Sequence, residues 1–521
     1  MTAAVREDAA GLLRTARAVY DDDPAAQVTI DELERRLSEP LRLAVAGMVK
    51  AGKSTLLNAL LGEQIAPTDA GECTRVVTWY RYSATPTVTL HPKEGEPRRM
   101  PVRRDRGRLV LDLDGTSADD VAWIDVGWPL IRLKSMILID TPGIASLSES
   151  TSERTTKFLM PEDAPSSADA VVYLMRHLHA SDVKFLEAFR DTAAGAAQTI
   201  CAVGVLSRSD EIGSGRIDSL LSAQKVARRY ELDGDLASLV LSVIPVAGLV
   251  AEGARTLRET EYAAFRALAG LERVDRERLL MSADRFTRDS DATTLSAAER
   301  RNLLGRFGLF GVRLATALIR GGIVSSSELS EQMVQQSGLI ELQQFVRNQF
   351  HTRASTLKVR GVLLGLERLM RQSPREGTEQ IRGGIERIAA GAHALRELSL
   401  LATARSEGLP LSAQDAAAAQ TIIGANGTPT HIRLGLPESA DTRTRSERVD
   451  ALLDYWRRLS ESPLTDRAAV GACRVVIRSL DEMASDLGPA ANVVLSGGPR
   501  HGAGQHAPQQ SEEHEAAFSG Q

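Results

Sequence analysis

The sequence predicts an α/β domain, with a mostly parallel sheet and helices on both faces, joined to an extended all-α region. Two patterns in the 521 residues indicate this fold class. Between residue 41 and about residue 250, short apolar runs alternate with helical stretches, as in sheets built from β-α-β units. Elsewhere, apolar residues recur at helical spacing. The predicted parts are N-terminal helices at 1–40, the α/β domain at 41–255, further helices at 256–495 and a tail at 496–521 whose polar composition predicts disorder.

The bulk composition argues against several classes of protein. A net charge of −5 gives no general attraction to nucleic acid or to anionic lipid. Cys73, Cys201 and Cys473 lie far apart without C-x-x-C spacing, which argues against a disulfide framework and a zinc site. Because the sequence shows no signal peptide and no uncharged apolar window of about 18 residues, we expect a cytoplasmic protein whose membrane contacts are peripheral.

The two ends of the chain carry clear helical patterns. Residues 10–20 place their apolar side chains on one helical face. A second N-terminal helix is predicted to begin at Thr29, with Glu32 completing a capping box. The last long helix is predicted at 466–487 with Thr465 as its cap. Since the sheet does not need the N-terminal helices, we expect them to pack against this last helix.

A glycine-rich loop follows the first apolar run. Its sequence, GMVKAGKS from Gly47 to Ser54, has the G-x-x-x-x-G-K-S spacing that lets backbone N–H groups bind phosphate oxygens at the start of a helix. Lys53 is expected to reach the β- and γ-phosphates, and the Ser54 hydroxyl to bind Mg²⁺. The residues predicted to contact the nucleotide are Gly47, Lys50, Ala51, Gly52, Lys53, Ser54 and Thr55.

Two later loops complete a predicted magnesium and γ-phosphate site. A polar loop downstream of Lys53 contains Thr74. In P-loop GTPases a threonine in such a loop binds Mg²⁺ and reads the γ-phosphate; a surface turn is the alternative. The DTPG sequence from Asp140 to Gly143 follows a buried strand, where the carboxylate can hold a Mg²⁺-bound water and the Gly143 N–H can bind the γ-phosphate.

The loop after the strand predicted at 200–206 indicates guanine recognition. Guanine-specific sites carry N/T-K-x-D here, and the carboxylate accepts hydrogen bonds from guanine N1 and N2 that adenine cannot donate. Asp210 keeps this carboxylate, and Arg208 replaces the lysine with another cation whose stem can cover the base. After the next strand, the N–H of Ala247 is predicted to meet guanine O6. A polar loop that binds no ligand is the alternative.

His177, His179 and Asp182 follow another predicted strand. This pattern is compatible with a metal site, but a solvated or packed loop is the simpler interpretation of two histidines, and we favour it.

Together these motifs resemble the dynamin superfamily of large GTPases, in particular the bacterial dynamin-like proteins of the isoniazid-inducible group of mycobacteria and relatives. The motifs that carry the resemblance are Gly47–Ser54, Cys73–Arg75, Asp140–Gly143 and Ser207–Asp210, with weaker support from Arg306–Gly311 and Ser337–Leu342. The resemblance implies a P-loop GTPase domain on a neck and trunk built from N-terminal and C-terminal helices. It also implies Mg²⁺-dependent conversion of GTP to GDP, membrane association at the trunk tip, and GTP-linked dimerisation with a second copy or a paralogue.

The P-loop departs from the eukaryotic members at two positions. They carry Gln-Ser where this chain has Val49-Lys50. The resemblance assigns the Gln to positioning the attacking water and the Ser to holding a monovalent cation, and Val49 cannot do the first job. We hypothesise that the Lys50 ammonium replaces the monovalent cation as a catalytic charge. The alternative is that Lys50 points outward, to solvent or to a second head.

The helical region offers two connectors as predicted membrane contacts. The candidate residues are Met370, Arg371 and Arg375 in a basic connector, and Ile422, Ile423, Ile432, Arg433 and Leu434 in a Gly-rich one. For each, an ordinary packed connector is the alternative. Arg306, Arg313 and Arg320 recur every seven residues, which indicates either a basic face on lipid or, as we favour, a core helix with a solvated rim.

Three functions are compatible with these patterns. The first is a GTPase that binds an anionic membrane at the inner face of the cell membrane and remodels, fuses or repairs it. The second is a cytosolic GTPase switch or scaffold whose helical half binds a protein partner. The third is an ATPase, against which Asp210 argues. Since the sequence has neither a basic tail nor an aromatic base-stacking motif, we expect no nucleic acid partner.

Overall fold

The computed structural model describes residues 2–67, 75–105, 107–143, 167–194, 201–212, 215–232 and 236–487. Two predictions, Thr74 as a Mg²⁺ ligand and the disordered tail at 496–521, therefore lie outside the described residues. Within the described part, a mostly parallel sheet lies between residues 41 and 246, and helices form most of the remainder, as predicted.

A nine-stranded mixed sheet has the order β11-β10-β9-β1-β8-β2-β7-β3-β4, and β5 and β6 form a separate pair. The strands are β1 (Leu41–Gly47), β2 (Thr78–Tyr82), β3 (Thr87–Pro92), β4 (Arg98–Met100), β5 (Arg103–Asp105), β6 (Arg108–Val110), β7 (Val121–Trp128), β8 (Met136–Asp140), β9 (Ala170–Met175), β10 (Ala202–Ser207) and β11 (Val243–Val246).

The carboxyl ends of the parallel strands meet at one edge of the sheet. β1 pairs in parallel with β8 and with β9, so that Val45 lies opposite Asp140 and Gly47 lies opposite Leu174. β10 lies between β9 and β11 and is parallel to both. The loops after β1, β8, β10 and β11 therefore converge at this edge, where open α/β sheets bind their ligands.

The other side of the sheet differs from the prediction. β2 is antiparallel to β8, and β3 and β4 add to β7 by further antiparallel pairing. The apolar runs predict only β2 on this side. β4, β5 and β6 are three-residue strands rich in exposed arginine, so no apolar run marks them.

Helices fill most of the remaining described chain. They are α1 (Thr2–Val19), α2 (Pro24–Ser38), α3 (Lys53–Leu61), α4 (Ala180–Ala194), α5 (Ser219–Leu232), α6 (Gly248–Arg255), α7 (Glu259–Ala269), α8 (Arg273–Leu279), α9 (Ala283–Thr287), α10 (Ala297–Arg320), α11 (Ser326–Gln336), α12 (Leu339–Phe345), α13 (Ala354–Gln372), α14 (Thr378–Gly391), α15 (His393–Ser406), α16 (Ala413–Ile422), α17 (Thr430–Arg433), α18 (Thr442–Glu461) and α19 (Arg467–Leu487). A π-helical segment, Val346–His351, precedes α13.

The N-terminal helices α1 and α2 pack against α13 and α14. Leu13 and Ile30 are fully buried in a hydrophobic cluster that also contains Leu366 and Ile381. α19 packs on α18 and α15 instead. The predicted pairing of the N-terminal helices with the last helix is therefore wrong, because helical spacing identifies an apolar face but not the element that covers it.

Two helices begin at different residues from those predicted. α2 begins five residues before Thr29, and the Asp23 carboxylate caps it by accepting from the N–H groups of Ala25 and Ala26. The first residue of α2 is Pro24, which suits this position because its fixed φ fits a helix and its missing N–H would be unpaired there. In α19 the cap is Asp466, which accepts from Ala469 N at 2.7 Å, rather than Thr465.

α10 is a packed helix with a break in its middle. By length and composition it could cross a membrane, but 44% of its apolar window is buried and Gly308 has non-helical angles (φ 66°, ψ 171°). Arg306 donates to Glu261 Oε1 at 2.6 Å, and Arg313 donates to the Leu280 carbonyl at 2.7 Å. These two arginines therefore join elements of the fold, whereas the sequence pattern predicts a solvated rim.

Candidate nucleotide-binding site

The P-loop connects β1 to α3 in a conformation that needs glycine at two positions. Gly47 has φ 143°, and a Cβ atom there would lie 2.2 Å from the Leu174 carbonyl oxygen of the neighbouring strand. Gly52 has φ 95° and lies immediately before α3. The loop thus presents the N-terminus of α3, with its free N–H groups, at the ligand-binding edge of the sheet.

The lysine, hydroxyl and carboxylate predicted for phosphate and Mg²⁺ lie together. Lys53 Nζ donates to the carbonyls of Gly47 at 3.2 Å and Met48 at 3.3 Å. Ser54 Oγ donates to Asp140 Oδ2 at 3.0 Å. A hydroxyl and a carboxylate are hard oxygen donors, and Mg²⁺ typically takes one or two carboxylates together with substrate phosphates. The residues present therefore fit this ion.

Burial shifts the pKa of both charged groups in this subsite. It lowers the pKa of Lys53 and raises the pKa of Asp140 to about 6. The Lys53 ammonium and the Ser54 hydroxyl oppose the rise at Asp140 because they stabilise the carboxylate. A bound divalent cation would favour the ionised carboxylate in the same way.

Gly143 lies against the P-loop. A Cβ atom on Gly143 would come within 2.8 Å of Val49 Cα and 2.6 Å of Val49 Cγ2. Only glycine therefore allows the loop after β8 to approach the loop after β1 this closely. The structure brings Gly143 to the phosphate subsite, beside the residue that replaces the eukaryotic glutamine.

A cavity of about 150 Å³ adjoins the P-loop on the side of β10 and β11. Its walls come from the P-loop and α3, from the loop after β10, and from the start of α6. The lining residues include Ala51, Gly52, Thr55, Ser207, Arg208, Asp210, Val246, Gly248 and Leu249. The cavity is therefore continuous with the phosphate subsite and is closed by the predicted guanine-reading loop.

Asp210 is the buried acid of this cavity, with 8% of its surface exposed. Burial raises the pKa of its carboxyl to about 6, and the nearby Arg208 guanidinium partly opposes the rise. A buried carboxylate is costly until donors reach it. Guanine N1 and N2 would supply two such donors.

The raised pKa predicts how stability depends on pH in the nucleotide-free protein. An unfolded aspartate titrates near pH 3.9, so ionisation of Asp210 costs the folded state stability between about pH 4 and 6, and the full cost applies above pH 6. Asp210→Asn is expected to stabilise the protein by about 2 to 3 kcal/mol above pH 6 and to have little effect below pH 4. Thermal unfolding from pH 4 to 7.5 measures this, with Asp450→Asn at an exposed position of α18 as control. A stability difference independent of pH would contradict it.

Arg208 connects the loop after β10 to the P-loop. Its backbone is left-handed at φ 51°, and its Nη2 donates to the Lys50 carbonyl at 3.2 Å. The backbone of Lys50 is also left-handed, at φ 63°, and Lys50 is exposed. The two loops are therefore joined at one of the two P-loop positions that differ from the eukaryotic pattern.

The predicted contact of Ala247 with guanine O6 is wrong. Its N–H already donates to the Ser337 carbonyl at 2.9 Å, and the residue is fully buried. The next two residues, Gly248 and Leu249, line the cavity instead, at the start of α6. The apolar run correctly predicts where β11 ends. The hydrogen bond to Ser337 joins residues 90 positions apart, so no short sequence pattern predicts it.

The comparisons with known proteins agree with this geometry. A family model described as the dynamin family matches residues 43–194. The isoniazid-induced protein IniC of Mycobacterium tuberculosis is 40% identical over 457 residues, which cover 88% of this chain and 92% of that protein. The chain belongs to the bacterial dynamin-like proteins.

More distant relatives of this bacterial dynamin-like protein match over shorter lengths. The bacterial dynamin-like protein of Nostoc punctiforme is 31% identical over 146 residues, covering 26% of this chain and 20% of that protein. A solved structure from an oligomerised bacterial dynamin pair gives a TM-score of 0.31 at 12% identity, covering 93% of this chain and 75% of that chain. Family membership supports a GTPase domain, with GTP and GDP as the implied ligands.

In this bacterial dynamin-like protein the basic connector lies at the turn between α13 and α14. Arg375 pairs with Asp22 and Asp23 and stacks over Tyr20, whose hydroxyl donates to the Ser373 carbonyl at 2.9 Å. Met370 packs against the cluster of α1, α2, α13 and α14. The charge of Arg375 is therefore already neutralised within the chain.

The second membrane candidate is buried in part. Ile422, Ile423 and Leu434 are 2% exposed or less, and Arg433 donates to the Ile422 carbonyl at 2.6 Å. The fold covers these three candidate membrane contacts, so the alternative of an ordinary packed connector describes them. Ile432, which is half-buried, completes this connector.

The carboxylate that follows β9, Asp182, makes its hydrogen bonds within the fold. Asp182 is fully buried and accepts from the Tyr173 hydroxyl at 2.7 Å and from His179 N at 2.9 Å. Among the residues that the structure describes, no group of three or more His, Cys, Asp or Glu side chains is arranged to hold a metal ion.

Proposed function

We propose that this chain hydrolyses GTP to GDP and phosphate and that its helical region contacts anionic membrane peripherally. We assign the GTPase unit to residues 41–255 and the neck and trunk to residues 1–40 and 256–495. The observation that carries the GTPase proposal is the continuity of two subsites. A phosphate loop beside the Ser54–Asp140 pair opens directly into a cavity closed by the buried Asp210.

Each residue of the site has a proposed role in this reaction. The P-loop N–H groups and Lys53 bind the β- and γ-phosphates. Ser54 and, through a water, Asp140 hold Mg²⁺, with Thr74 as a further ligand; when bound, this ion neutralises charge on the phosphates. The Gly143 N–H binds the γ-phosphate. Comparing GTP with ATP turnover tests the proposal, and equal turnover would contradict guanine recognition at Asp210.

We also propose that Lys50 supplies the charge that relatives obtain from a monovalent cation. Lys50→Ala is then expected to lower GTP turnover about ten- to a hundredfold and to make the remaining activity depend on K⁺. Phosphate release measured with K⁺, Na⁺ or choline as the cation tests this. Lys50→Gly is the matched variant, because it removes the same charge and suits φ 63°. Unchanged turnover without K⁺ dependence in both variants would refute this role.

The membrane proposal rests on the family to which the chain belongs. Since Arg375 is paired and the apolar residues Ile422, Ile423 and Leu434 are buried, whereas Arg371 is exposed, we propose that the contact includes the turn between α18 and α19 as well as Arg371. Leu464 in this turn is 96% exposed, the highest value among the large apolar side chains that the structure describes. Burying one leucine contributes about 1.5 to 3 kcal/mol, which is enough to affect peripheral binding measurably.

Co-sedimentation with phosphatidylglycerol vesicles at low salt, with and without GTP, tests the membrane proposal. Leu464→Asp is expected to weaken binding at least about tenfold. Val324→Asp is the control, because Val324 is 81% exposed in the turn between α10 and α11. If the unmodified chain does not bind in either nucleotide state, the membrane proposal fails.

The burial of Ile422, Ile423 and Leu434, which removes a predicted membrane contact, favours a second candidate function. In it, the chain is a cytosolic GTPase switch or scaffold whose helical half binds a protein partner. Under the first candidate the chain lies at the inner face of the cell membrane and forms GTP-linked dimers with itself or with a paralogue. Light scattering with GTP and with GDP measures this dimerisation, and vesicle binding distinguishes the two candidates.

A further inference from the structure

We call the cavity lined by Asp210 the base cavity. α10 lies next to it, although this helix begins about 90 residues after Asp210. Its break at Gly308 lies in a region of backbone angles, φ 66° and ψ 171°, that is essentially restricted to glycine. Such conformations persist when the surrounding structure enforces them, and they concentrate at functional sites. The break lies at the base cavity.

Gly308 faces the base-reading acid directly. A Cβ atom on Gly308 would lie 3.5 Å from Asp210 Oδ2 and 3.6 Å from Leu249 Cδ2. Asp210 and Leu249 both line the cavity, one from the loop after β10 and the other from α6. A methyl group on Gly308 would therefore be in ordinary van der Waals contact with both side chains, so the break in α10 lies directly beside the cavity lining.

Five residues farther along α10, Arg313 holds the end of the same loop. Its Nη1 donates to the Gly215 carbonyl at 2.6 Å, while its Nη2 donates to the carbonyls of Leu280 at 2.7 Å and Met281 at 3.0 Å. A Cβ atom on Gly215 would lie 3.5 Å from the Asp210 carbonyl oxygen, so the loop returns to the residue that reads the base. Arg313 thus links this loop to the helical region through carbonyl groups on both sides.

α10 is also packed tightly against α6, the helix that carries Leu249. A Cβ atom on Gly253 of α6 would lie 2.8 Å from the Arg306 carbonyl oxygen and 2.7 Å from the Phe307 ring. A Cβ atom on Gly311 would lie 3.2 Å from Val250 Cγ2. Because α6 begins at the cavity, a shift of α10 would move Leu249 as well as Asp210.

We propose that Gly308 and Arg313 are positioning residues for guanine selection. They fix the distance between the Asp210 carboxylate and the α6 wall, so that the carboxylate meets both N1 and N2 of a guanine base. This inference rests on the proposed GTPase function and adds to it a specificity element outside the four nucleotide-binding motifs. A packing role alone would change stability but would not change which purine the cavity prefers.

Calorimetric titration of the full chain with GDP and with inosine diphosphate, which lacks the N2 amino group, separates these two roles. The unmodified chain is expected to prefer GDP about tenfold, the value of one hydrogen bond to a charged group. Arg313→Ala is expected to weaken GDP binding about tenfold and to bring the GDP-to-IDP ratio close to one. Arg313→Lys, which can still reach one carbonyl, should lie between the two. The exposed Arg320→Ala on the same helix is the control and should leave the ratio unchanged.

Gly308→Ala tests the proposal independently, because alanine is strained at φ 66° and ψ 171°, so the backbone beside Asp210 and Leu249 would have to shift. Gly308→Ala is expected to bring the GDP-to-IDP affinity ratio toward one, as Arg313→Ala does. If Arg313→Ala does not fold, Gly308→Ala and Arg313→Lys together test the positioning role. A normal ratio in the folded variants overturns the positioning role and leaves the GTPase proposal intact. Absence of any GDP preference in the unmodified chain overturns guanine recognition at Asp210 and the positioning role with it.

Discussion

Lys53→Ala is expected to reduce GTP hydrolysis by about 10²- to 10³-fold while the chain remains folded. The Lys53 ammonium stabilises the ionised Asp140 carboxylate, and its Nζ is held by the carbonyls of Gly47 and Met48. A fixed charge aimed at phosphate oxygens in a water-poor site stabilises the developing negative charge far more than a solvated lysine does. Alanine removes that charge, and the exposed Lys50 has a separate proposed role and is not placed to take over the contacts of Lys53.

Phosphate release under saturating GTP and Mg²⁺ measures the effect of Lys53→Ala. Lys225→Ala is the matched control, since Lys225 is an exposed lysine on α5, outside the site. Thermal unfolding of each variant separates a lost charge from a lost fold. Turnover within about threefold of the unmodified chain would exclude Lys53 from the reaction.

Asp210→Asn is expected to lower the efficiency of GTP hydrolysis by about 10³-fold and to make xanthosine triphosphate the better substrate. The carboxylate accepts two hydrogen bonds from guanine, whereas an amide can accept only one and directs its own donor at the N2 group. Xanthine carries a carbonyl where guanine carries this amino group, so the amide of Asn can pair with it. Sites built to match a specific hydrogen-bond pattern discriminate by several orders of magnitude.

Turnover of GTP, xanthosine triphosphate and ATP by both forms measures the switch. Asp218→Asn, a partly exposed change in the segment just before α5, should leave all three rates unchanged. Retention of GTP preference by Asp210→Asn would mean that another group reads the base. Loss of all three activities in a variant that still folds would mean that Asp210 supports the loop rather than the base.

The sequence predicts those parts of the candidate site whose residues are consecutive in the chain. Gly47 to Ser54 and Asp140 to Gly143 each follow a buried strand, and the end of a parallel strand determines where the next few residues lie. The same argument locates Asp210. Since the strand order brings these ends to one edge, local patterns suffice to predict that the P-loop, the loop after β8 and Asp210 lie close together.

The parts that sequence patterns miss depend on contacts between distant segments. The Ala247 N–H is taken by Ser337, and the base cavity is backed by Gly308 of α10. Arg313 looks like the rim of an amphipathic helix until its carbonyl partners are known. A helical pattern records which face is apolar, and it contains no information about which of the eighteen other α-helices that the structure describes will cover that face.

The cluster that joins α1 and α2 to α13 and α14 also constrains how the chain is made. Its members come from residues 9–37 and 359–388, so α1 and α2 are translated some 350 residues before the helices that cover them. At about 5 to 20 residues per second this delay is roughly 20 to 70 s. Throughout that interval the faces of Leu13 and Ile30 remain exposed while the nucleotide-binding sheet can already form. Nascent-chain folding is therefore expected to proceed from the middle outward, with the N-terminal helices as the segment most dependent on chaperones.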